Sequence, residues 1–359
     1  MHEIEGPKIG AIDLFSGAGG LSLGLKQSGV DVIAGFDLDQ SCAYPYTYNL
    51  KSEFFQADIN DIDSAQLNKL WEGYEIRLLA GCAPCQPFSS HRRGADTSGE
   101  GEWNLLAQFQ RLVHETLPEY VTMENVARLE KMDVFHDFLA GLEHDGYSIG
   151  FEVLRGQDFG LPQTRRRLVL VASKLGAISL PTPKKRGKHK SVRSVIGKLR
   201  PLEAGESDPN DPLHVARNLS PLNLERIKAS KPGGTWEDWP EELLANCHKK
   251  PSGASFKSFY GRMSWDLPSP TITTQSHNFG SGRFGHPEQD RTLTLREMAI
   301  LQGFPRSYRF TKAGEKVTFT NIGRMIGNAV PPPFGKAVGE VIIAHAVANR
   351  AKVVGGVEQ

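Results

Sequence analysis

Residues 9–29 read IGAIDLFSGAGGLSLGLKQSG and decide the fold class, because they predict a strand, a glycine-rich turn and a helix in immediate succession. The short apolar run at residues 9–15 is typical of a buried strand, and the helix after the turn ends at Gly29. In open parallel sheets, such a turn lies where ligands bind, at the carboxyl end of the strand.

Strands and helices alternate along the first half of the chain. Apolar runs predict strands at residues 30–39, 53–59, 75–84, 119–126 and 166–173, and one-sided apolar spacing predicts helices around 105–113 and 134–142. This alternation is typical of doubly wound α/β proteins. The sequence therefore predicts a Rossmann-like, mostly parallel sheet with helices on both faces.

The character of the sequence changes after Ser173. Residues 181–190 are basic and punctuated by proline, and the stretch to about residue 290 is rich in Pro, Gly, Ser and Trp with weak periodicity. Helical patterns resume at 294–304 and, after a triple proline, at 334–348. The intervening stretch predicts a second, smaller and irregular domain or a long functional insertion.

Composition describes an ordinary globular protein of 359 residues, 39% hydrophobic and 23% charged. No apolar run reaches membrane-spanning length, the first residues lack a signal-peptide pattern, and four cysteines form no disulfide framework. These features predict a cytoplasmic, reducing location, nucleoid-associated in a prokaryote.

The net charge of +1 hides an asymmetry between the two halves of the chain. Residues 1–150 carry 10 basic and 23 acidic side chains, whereas residues 151–359 carry 32 basic and 18 acidic ones. This distribution fits a polyanionic partner that docks on the second half. An electrostatic accident of a two-lobed protein is the alternative.

The glycine-rich turn is compatible with two kinds of cofactor. Asp37 follows Gly17 by 20 residues, at the end of the second predicted strand, where a carboxylate accepts hydrogen bonds from a ribose diol. The third glycine of a dinucleotide fingerprint is absent, because position 22 is serine. On this spacing alone, NAD and S-adenosylmethionine both remain possible cofactors. Asp58, after the third predicted strand, suits the adenosine that both of them contain.

Residues 81–90, GCAPCQPFSS, place two cysteines at a stiff turn. A zinc site would need two further ligands, but Cys42 and Cys247 stand alone and His91 is the only nearby histidine. A thioredoxin-like dithiol is the more serious alternative, and a single working thiol with an incidental neighbour is the third. The spacing of the cysteines alone does not decide between the dithiol and the single working thiol.

Five motifs, taken in order, resemble those of the cytosine-C5 DNA methyltransferase family of prokaryotic single-chain type: DLFSGAGG (13–20), APCQPFS (83–89), MENV (123–126), QTRRR (163–167) and IGNAVPP (326–332). The resemblance covers most of the chain outside roughly 183–270. It implies a catalytic, S-adenosylmethionine-binding domain at 1–182, a target-recognition domain and hinge at 183–305, and a return to the catalytic domain at 306–359.

The resemblance also implies the catalytic residues. Cys85 would add as a thiolate to C6 of a flipped-out cytosine, which makes C5 able to accept a methyl group. Glu124 would neutralise the ring at N3 and must carry a proton to do so. Arg165 and Arg167, which alternate on a predicted strand and so share a face, would hold the cytosine carbonyl and a phosphate. Cys82 is interpreted as incidental.

Cofactor and DNA contacts follow from the same resemblance. The implied cofactor-binding residues are Phe15, Ser16, Gly17, Gly19, Gly20, Asp37, Asp58, Ile59, Pro84, Asn104, Asn328 and Val330. The implied DNA-binding residues are Ser89, Gln163, Lys184, Lys185, Arg186 and Thr271. A solvated charge run is a rival interpretation of the lysines, and the tryptophans at 236, 239 and 265 are expected in the core. No metal is expected.

Three functions fit the sequence to different degrees. Methylation of double-stranded DNA fits all five motifs. The protein is expected to act as a monomer, and a cognate restriction endonuclease that acts separately is a candidate partner. A transfer-RNA methyltransferase on the same scaffold is the alternative, although the Cys-Phe-Thr tripeptide of that branch is absent at Cys247, which His248 and Lys249 follow. A DNA-binding relative without catalysis is disfavoured by intact Cys85, Glu124 and Arg165.

Overall fold

The structure is a computed structural model that describes residues 6–84, 104–183, 188–250 and 257–350. Contacts divide the chain into two compact units. Unit 1 comprises Met1–Arg155, Arg166–Lys184 and Val330–Gln359, and unit 2 comprises Gly156–Arg165 and Lys185–Ala329. The boundaries between the units therefore lie at 184/185 and 329/330, whereas the sequence predicted domain boundaries at 182/183 and 305/306. In addition, the short segment Gly156–Arg165 groups with unit 2.

The core of unit 1 is a seven-stranded sheet in the order β3-β2-β1-β4-β5-β7-β6. Its strands are β1 (Ile9–Leu14), β2 (Asp31–Asp37), β3 (Glu53–Gln56), β4 (Ile76–Gly81), β5 (Tyr120–Val126), β6 (Ser148–Arg155) and β7 (Arg166–Ser173). The first five pair in parallel, and β7 is antiparallel to both β5 and β6. The predicted mostly parallel α/β sheet is confirmed.

The helices are numbered along the whole chain. They are α1 (Gly20–Ser28), α2 (Ala43–Leu50), α3 (Ser64–Leu70), α4 (Asn104–Thr116), α5 (Asp133–His144), α6 (Val192–Ile196), α7 (Pro221–Ala229), α8 (Leu295–Leu301), α9 (Phe319–Asn328) and α10 (Pro332–Ala348). Within the described ranges, no helix combines the length and apolarity needed to cross a membrane.

Burial explains why these segments form the sheet and its covering helices. Every residue of β1 is buried, as expected for a central parallel strand with helices on both faces. On α4 and α5 the apolar side chains lie on one face, and the rings of Phe109 and Phe138 stack with centroids 5.6 Å apart. The sequence prediction of helices around 105–113 and 134–142 is confirmed.

Strand β6 was absent from the sequence prediction. It lies at the sheet edge, most of its side chains are partly or fully exposed, and Phe151 is 38% exposed. A half-solvated edge strand has no continuous apolar run, so the pattern that marked the buried strands could not mark this one.

Close backbone contact joins α1 to α10 in unit 1. A Cβ added at Gly24 would lie 2.2 Å from the Pro332 carbonyl oxygen, and one added at Gly335 would lie 2.5 Å from the Leu21 carbonyl oxygen. Glycine at these positions lets the two helices approach more closely than any side chain would allow. The last helix thereby covers the helix that follows the glycine-rich turn.

We expect Gly24→Ala to destabilise the protein by about 1–3 kcal/mol, the usual cost of overpacking. Alanine in a helix interior ordinarily stabilises relative to glycine by about 1 kcal/mol, so the sign of the change is diagnostic. Urea unfolding followed by circular dichroism measures it. The matched control is Gly6→Ala, whose added Cβ would meet only Val347 Cγ2 at 3.9 Å. Equal stability of both variants would contradict the proposed helix contact.

Unit 2 has little regular structure in its described residues. Its strands β8 (Ser207–Asp208) and β9 (Asp211–Val215) form a two-stranded antiparallel sheet. A small core contains Ile227, Trp236, Trp239 and Phe279. The expectation of core tryptophans is confirmed at 236 and 239, whereas Trp265 is only half-buried.

Candidate active site

The glycine-rich turn connects β1 to α1 through left-handed backbone. Phe15, Gly17 and Gly19 have φ of 57°, 50° and 83°. Gly17 faces open space, because a Cβ added there would meet nothing within 4 Å. The hydroxyl of Ser16 is buried and has no hydrogen-bond partner among the described residues. The turn therefore offers an open backbone surface and one orphaned polar atom to a ligand.

Asp37, at the end of β2, buttresses this turn. Its Oδ2 accepts the Gly17 N–H at 2.8 Å, and its Oδ1 accepts the Asp39 N–H at 2.8 Å. A carboxylate oxygen can accept more than one hydrogen bond, so a carboxylate at this position is a suitable partner for a ligand hydroxyl. Because a carboxylate already takes the Gly17 N–H, the turn is poorly suited to a pyrophosphate, which would need that donor and would be repelled.

Residues at the ends of β2 and β3 flank the turn. Leu38, next to Asp37, is 67% exposed, unusual for an aliphatic side chain beside a buried strand end. Asp58 is half-buried and its Oδ1 accepts the Asn60 N–H at 2.9 Å, while Ile59 is buried. The adenosine of a cofactor could be held here by the apolar side chain of Leu38 and the carboxylates of Asp37 and Asp58.

Beneath the turn lies a buried hydrogen-bond chain. Ser22 Oγ donates to Asp13 Oδ2 at 2.6 Å and lies 2.8 Å from the Tyr46 hydroxyl. Burial raises the pKa of Asp13 to about 7, against the lowering effect of the Ser22 hydrogen bond and with a smaller contribution from the charge of Asp37. The base of the turn thus rests on a carboxyl that titrates near neutral pH.

The cysteine turn follows β4, and its described part ends at Pro84, which is exposed. Cys85 and Ser89 lie outside the described residues. Asn125 of β5 donates through Nδ2 to the Ala83 carbonyl at 3.1 Å, and the Cys82 N–H donates to the Leu14 carbonyl at 3.3 Å. Two neighbouring strands therefore fix the backbone immediately before Cys85.

Glu124 is the buried acid of this region, with 4% of its surface exposed. Its Oε2 accepts a hydrogen bond from Cys82 Sγ at 3.2 Å. Arg167 Nε lies 3.1 Å from Oε1 in an ion pair, and Oε1 has no hydrogen bond of good geometry among the described residues. The carboxyl is therefore held from one side by a thiol and from the other by a guanidinium.

Arg165 and Arg167 lie at the start of β7. Strand β7 begins at Arg166, so Arg165 directly precedes it and groups with unit 2, whereas Arg167 lies on it and groups with unit 1. The Gly156 N–H donates to the Arg165 carbonyl at 2.8 Å, next to the pair formed by Arg155 and Arg166. Arg165 is 3% exposed, and its guanidinium donates to the Ile272 carbonyl at 3.0 Å. The role of both arginines at the cytosine stays a prediction.

The side chain of Gln163 is fully buried inside unit 2. Its Nε2 donates to the Leu301 carbonyl and to Gln302 Oε1, both at 3.0 Å, and its Oε1 accepts the Ile272 N–H at 2.9 Å. Both ends of the amide are satisfied within the unit, so Gln163 holds three segments together. Its contact with DNA stays a prediction.

Comparisons with known proteins agree with this geometry. The sequence model of C-5 cytosine-specific DNA methylases matches residues 9–344. The chain is 46% identical over 339 residues to the type II methylase M.HgiDII of Herpetosiphon aurantiacus, covering 93% of this chain and 95% of that protein. It belongs to the C-5 cytosine-specific DNA methylase family.

Other members and structures extend the comparison. The type II methyltransferase M1.HphI of Haemophilus parahaemolyticus is 32% identical over 344 residues, covering 92% of this chain and 86% of that one. A prophage-encoded Escherichia coli protein, described as a DNA modification methyltransferase, matches with a TM-score of 0.73 at 22% identity, covering 94% and 99% of the two chains. A DNMT2 variant of Spodoptera frugiperda matches with a TM-score of 0.63 at 18% identity, covering 94% and 99%. At these identities, the two structures support the methylase fold alone.

The remaining residues implied by the methylase motifs lie in several places. Asn104 begins α4, Asn328 is exposed at the end of α9, and Val330 is buried in unit 1. Thr271 is half-buried in unit 2. The basic residues at 184, 185 and 186 lie outside the described ranges, so their DNA contacts stay predictions. Among the described residues no cluster of metal-ligating side chains occurs.

Sequence reasoning did not assign a role to Leu38, Asn125 or the Cys82 side chain. Asn125 could have been found, because it belongs to the MENV motif next to Glu124. Leu38 carries only a weak signal, an apolar residue between two acids at a strand end. The contact between Cys82 and Glu124 depends on the pairing of β4 with β5, which the one-dimensional pattern does not reveal.

A buried ion pair organises residues 291–297 in unit 2. The Arg291 guanidinium donates to both Glu297 oxygens at 2.8 Å, and Arg291 is fully buried. Burial raises the pKa of Glu297, but the Arg291 charge and hydrogen bonds, with the Thr294 N–H, outweigh it and lower that pKa to about 2. The ionised pair and the capping box between Thr294 and Glu297 together hold the start of α8.

We expect Glu297→Gln to cost about 3–5 kcal/mol at neutral pH, since it leaves a buried guanidinium without its counter-charge. Because the folded-state pKa lies below its ordinary value of 4.5, the stabilisation is present above pH 4.5 and is lost as the pH falls toward about 2. The stability difference between wild type and variant should therefore narrow over that interval in urea titrations.

The control for this prediction is Glu315→Gln, which removes an exposed pair with Lys312 at 4.0 Å. Exposed pairs contribute little, so this variant should behave as wild type at every pH. A Glu297→Gln penalty that stays constant from pH 7 to pH 2 would contradict the assignment to ionisation.

Proposed function

We propose that this methylase transfers a methyl group from S-adenosylmethionine to C5 of a cytosine in a specific double-stranded DNA sequence, through a covalent bond to Cys85. The observation that carries the proposal is a family match spanning residues 9–344 in a chain whose Glu124 is buried beside the cysteine turn. DNA as the substrate is supported by the matching family, which is that of C-5 cytosine-specific DNA methylases.

The glycine-rich turn fits S-adenosylmethionine better than a dinucleotide. The Gly17 N–H is taken by Asp37, which disfavours a pyrophosphate, while the open space at Gly17 and the orphaned Ser16 hydroxyl admit a phosphate-free tail. Asp37 would accept ribose hydroxyls and exposed Leu38 would cover the adenine. When bound, the cofactor supplies an electrophilic methyl group.

The cysteine turn would present the nucleophile. The Cys85 thiolate adds to cytosine C6, a bond that shifts electron density to C5 and N3 of the ring. Asn125 and the Leu14 carbonyl hold the described part of the turn at Ala83 and Cys82. After methylation, a base such as water takes the C5 proton, the thiolate leaves C6, and N3 returns its proton to Glu124, which restores the aromatic ring.

Glu124 would protonate N3 as the thiolate adds, so that negative charge does not accumulate on the base. Arg167, paired with Glu124, would orient that carboxyl and contact the base or a phosphate from unit 1. We assign the loop-rich residues of unit 2 to sequence recognition. Base readout is specific to one site, whereas the chemistry on an extruded cytosine is common to all sites.

A duplex carrying 5-fluorocytosine at the target should trap the enzyme covalently at Cys85, because fluorine cannot leave C5 as a proton does. The target site is first located by bisulfite sequencing of DNA from a naive host that expresses the protein. Peptide mapping by mass spectrometry then identifies the modified residue. Cys247→Ser, which removes an exposed thiol, is the control and should be trapped normally.

An adduct on any other residue would refute the nucleophile. The same experiment with RNA tests the alternative of a transfer-RNA methyltransferase: trapping on fluorinated RNA, and not on DNA, would overturn the assignment of DNA as substrate.

Glu124→Gln should lower the rate of methyl transfer by about 10²–10⁴-fold, the range for general acid–base groups, while S-adenosylmethionine affinity stays near wild type. Asp37→Ala should show the opposite pattern, with weakened cofactor binding first. Single-turnover rates and calorimetric titration of the cofactor separate the two effects. A large loss of cofactor affinity in Glu124→Gln with little loss of turnover would contradict this division of roles.

A further inference from the structure

The Cys82 side chain makes a contact that no motif assigned to it. Strands β4 and β5 are parallel, with Gly81 paired to Met123, and continuing this register by one residue sets Cys82 beside Glu124. The thiol then donates to Glu124 Oε2 at 3.2 Å. The contact is therefore a consequence of sheet register and not of a chance rotamer.

The two carboxyl oxygens of Glu124 are not equivalent. Oε2 is engaged by the thiol, whereas Oε1 is buried, lies 3.1 Å from Arg167 Nε, and lacks a hydrogen bond of good geometry among the described residues. A buried oxygen without a hydrogen bond is costly unless a ligand completes it. Oε1, although ion-paired with Arg167, is thus the oxygen that still lacks a hydrogen bond and can form one with an incoming base.

The chemistry of a thiol suits this position. A proton donor to a base must keep its free oxygen aimed at the acceptor atom, which requires that the other oxygen be fixed. The S–H group is a weak donor, so it fixes Oε2 without favouring the carboxylate as strongly as a charged donor would. At Oε2 the carboxyl is therefore held by a weak neutral donor, and the charge of Arg167 acts only at Oε1.

We infer that Cys82 is a positioning residue for methyl transfer: its thiol holds Oε2 of Glu124 so that Oε1 faces N3 of the cytosine. The inference rests on the proposed role of Glu124. It assigns a function to the second cysteine of the Cys-x-x-Cys turn, which the sequence had suggested was incidental.

Three substitutions and one double variant test the inference. Cys82→Ala removes the donor, and we expect the single-turnover methylation rate to fall about 10-fold, the value of one hydrogen bond, with unchanged affinity for DNA and S-adenosylmethionine. Cys82→Ser keeps a donor and should remain within about threefold of wild type. Cys247→Ala is the matched control at an exposed thiol and should change nothing.

The double variant Cys82→Ala/Glu124→Gln distinguishes a positioning role from a structural one. If Cys82 acts through Glu124, its removal adds no further loss once Glu124 is replaced, because coupled residues are not additive. Thermal unfolding of each variant separates folding defects from rate defects.

Several results would overturn the inference. A Cys82→Ala rate within twofold of wild type, a Cys82→Ser rate as low as that of Cys82→Ala, or an undiminished Cys82→Ala effect in the Glu124→Gln background would each do so. The proposed function would survive these outcomes provided that Glu124→Gln alone is slow. A fully active Glu124→Gln would instead remove the role of Glu124 and the inference with it.

Discussion

Parallel pairing of β1 with both β2 and β4 is the constraint on which the candidate site depends. Because the chain crosses from β1 to β2 on one side and returns to β4 on the other, the carboxyl ends of these strands open at one edge of the sheet. The glycine-rich turn, Asp37 and the cysteine turn each follow one of these strands. Extending the pairing to β5 adds Glu124. A shift of register by one residue would turn these side chains to the opposite face.

The switch to antiparallel pairing at β7 adds the positive charge. Strand β5 pairs with β7 so that Val126 lies opposite Arg167 and Glu124 opposite Val169. The two-residue offset on one sheet face brings the Arg167 guanidinium to Glu124 without any loop contact. An acid and a base placed by strand pairing are held more rigidly than a pair placed by loops, which suits a group that must aim a proton.

Sequence patterns predicted the parts of the molecule in which local chemistry and global fold agree. The glycine-rich turn, the buried central strands and the helices at 105–113 and 134–142 were all recognisable, because apolar periodicity and turn residues act over short distances. The family, and with it the candidate roles of Cys85 and Glu124, followed from motif order.

The sequence could not reveal contacts between partners that are distant along the chain. The amide of Gln163 is bonded to Leu301 and Ile272, which are more than 100 residues away. The contact between Cys82 and Glu124 becomes visible only when β4 and β5 are paired. Strand β6 was missed because a half-exposed edge strand has no continuous apolar run. No local pattern contains these features.

The contact between α1 and α10 has a consequence for the order in which the molecule is completed. Helix α1 is synthesised near the beginning of the chain and α10 only after all of unit 2, so a closing step of unit 1 joins segments of very high sequence separation. Such contacts form late and slowly, since the intervening loop must be closed first. During synthesis, the helix that follows the glycine-rich turn therefore stays uncovered until all of unit 2 has been made, so the completion of unit 1 depends on the synthesis of unit 2.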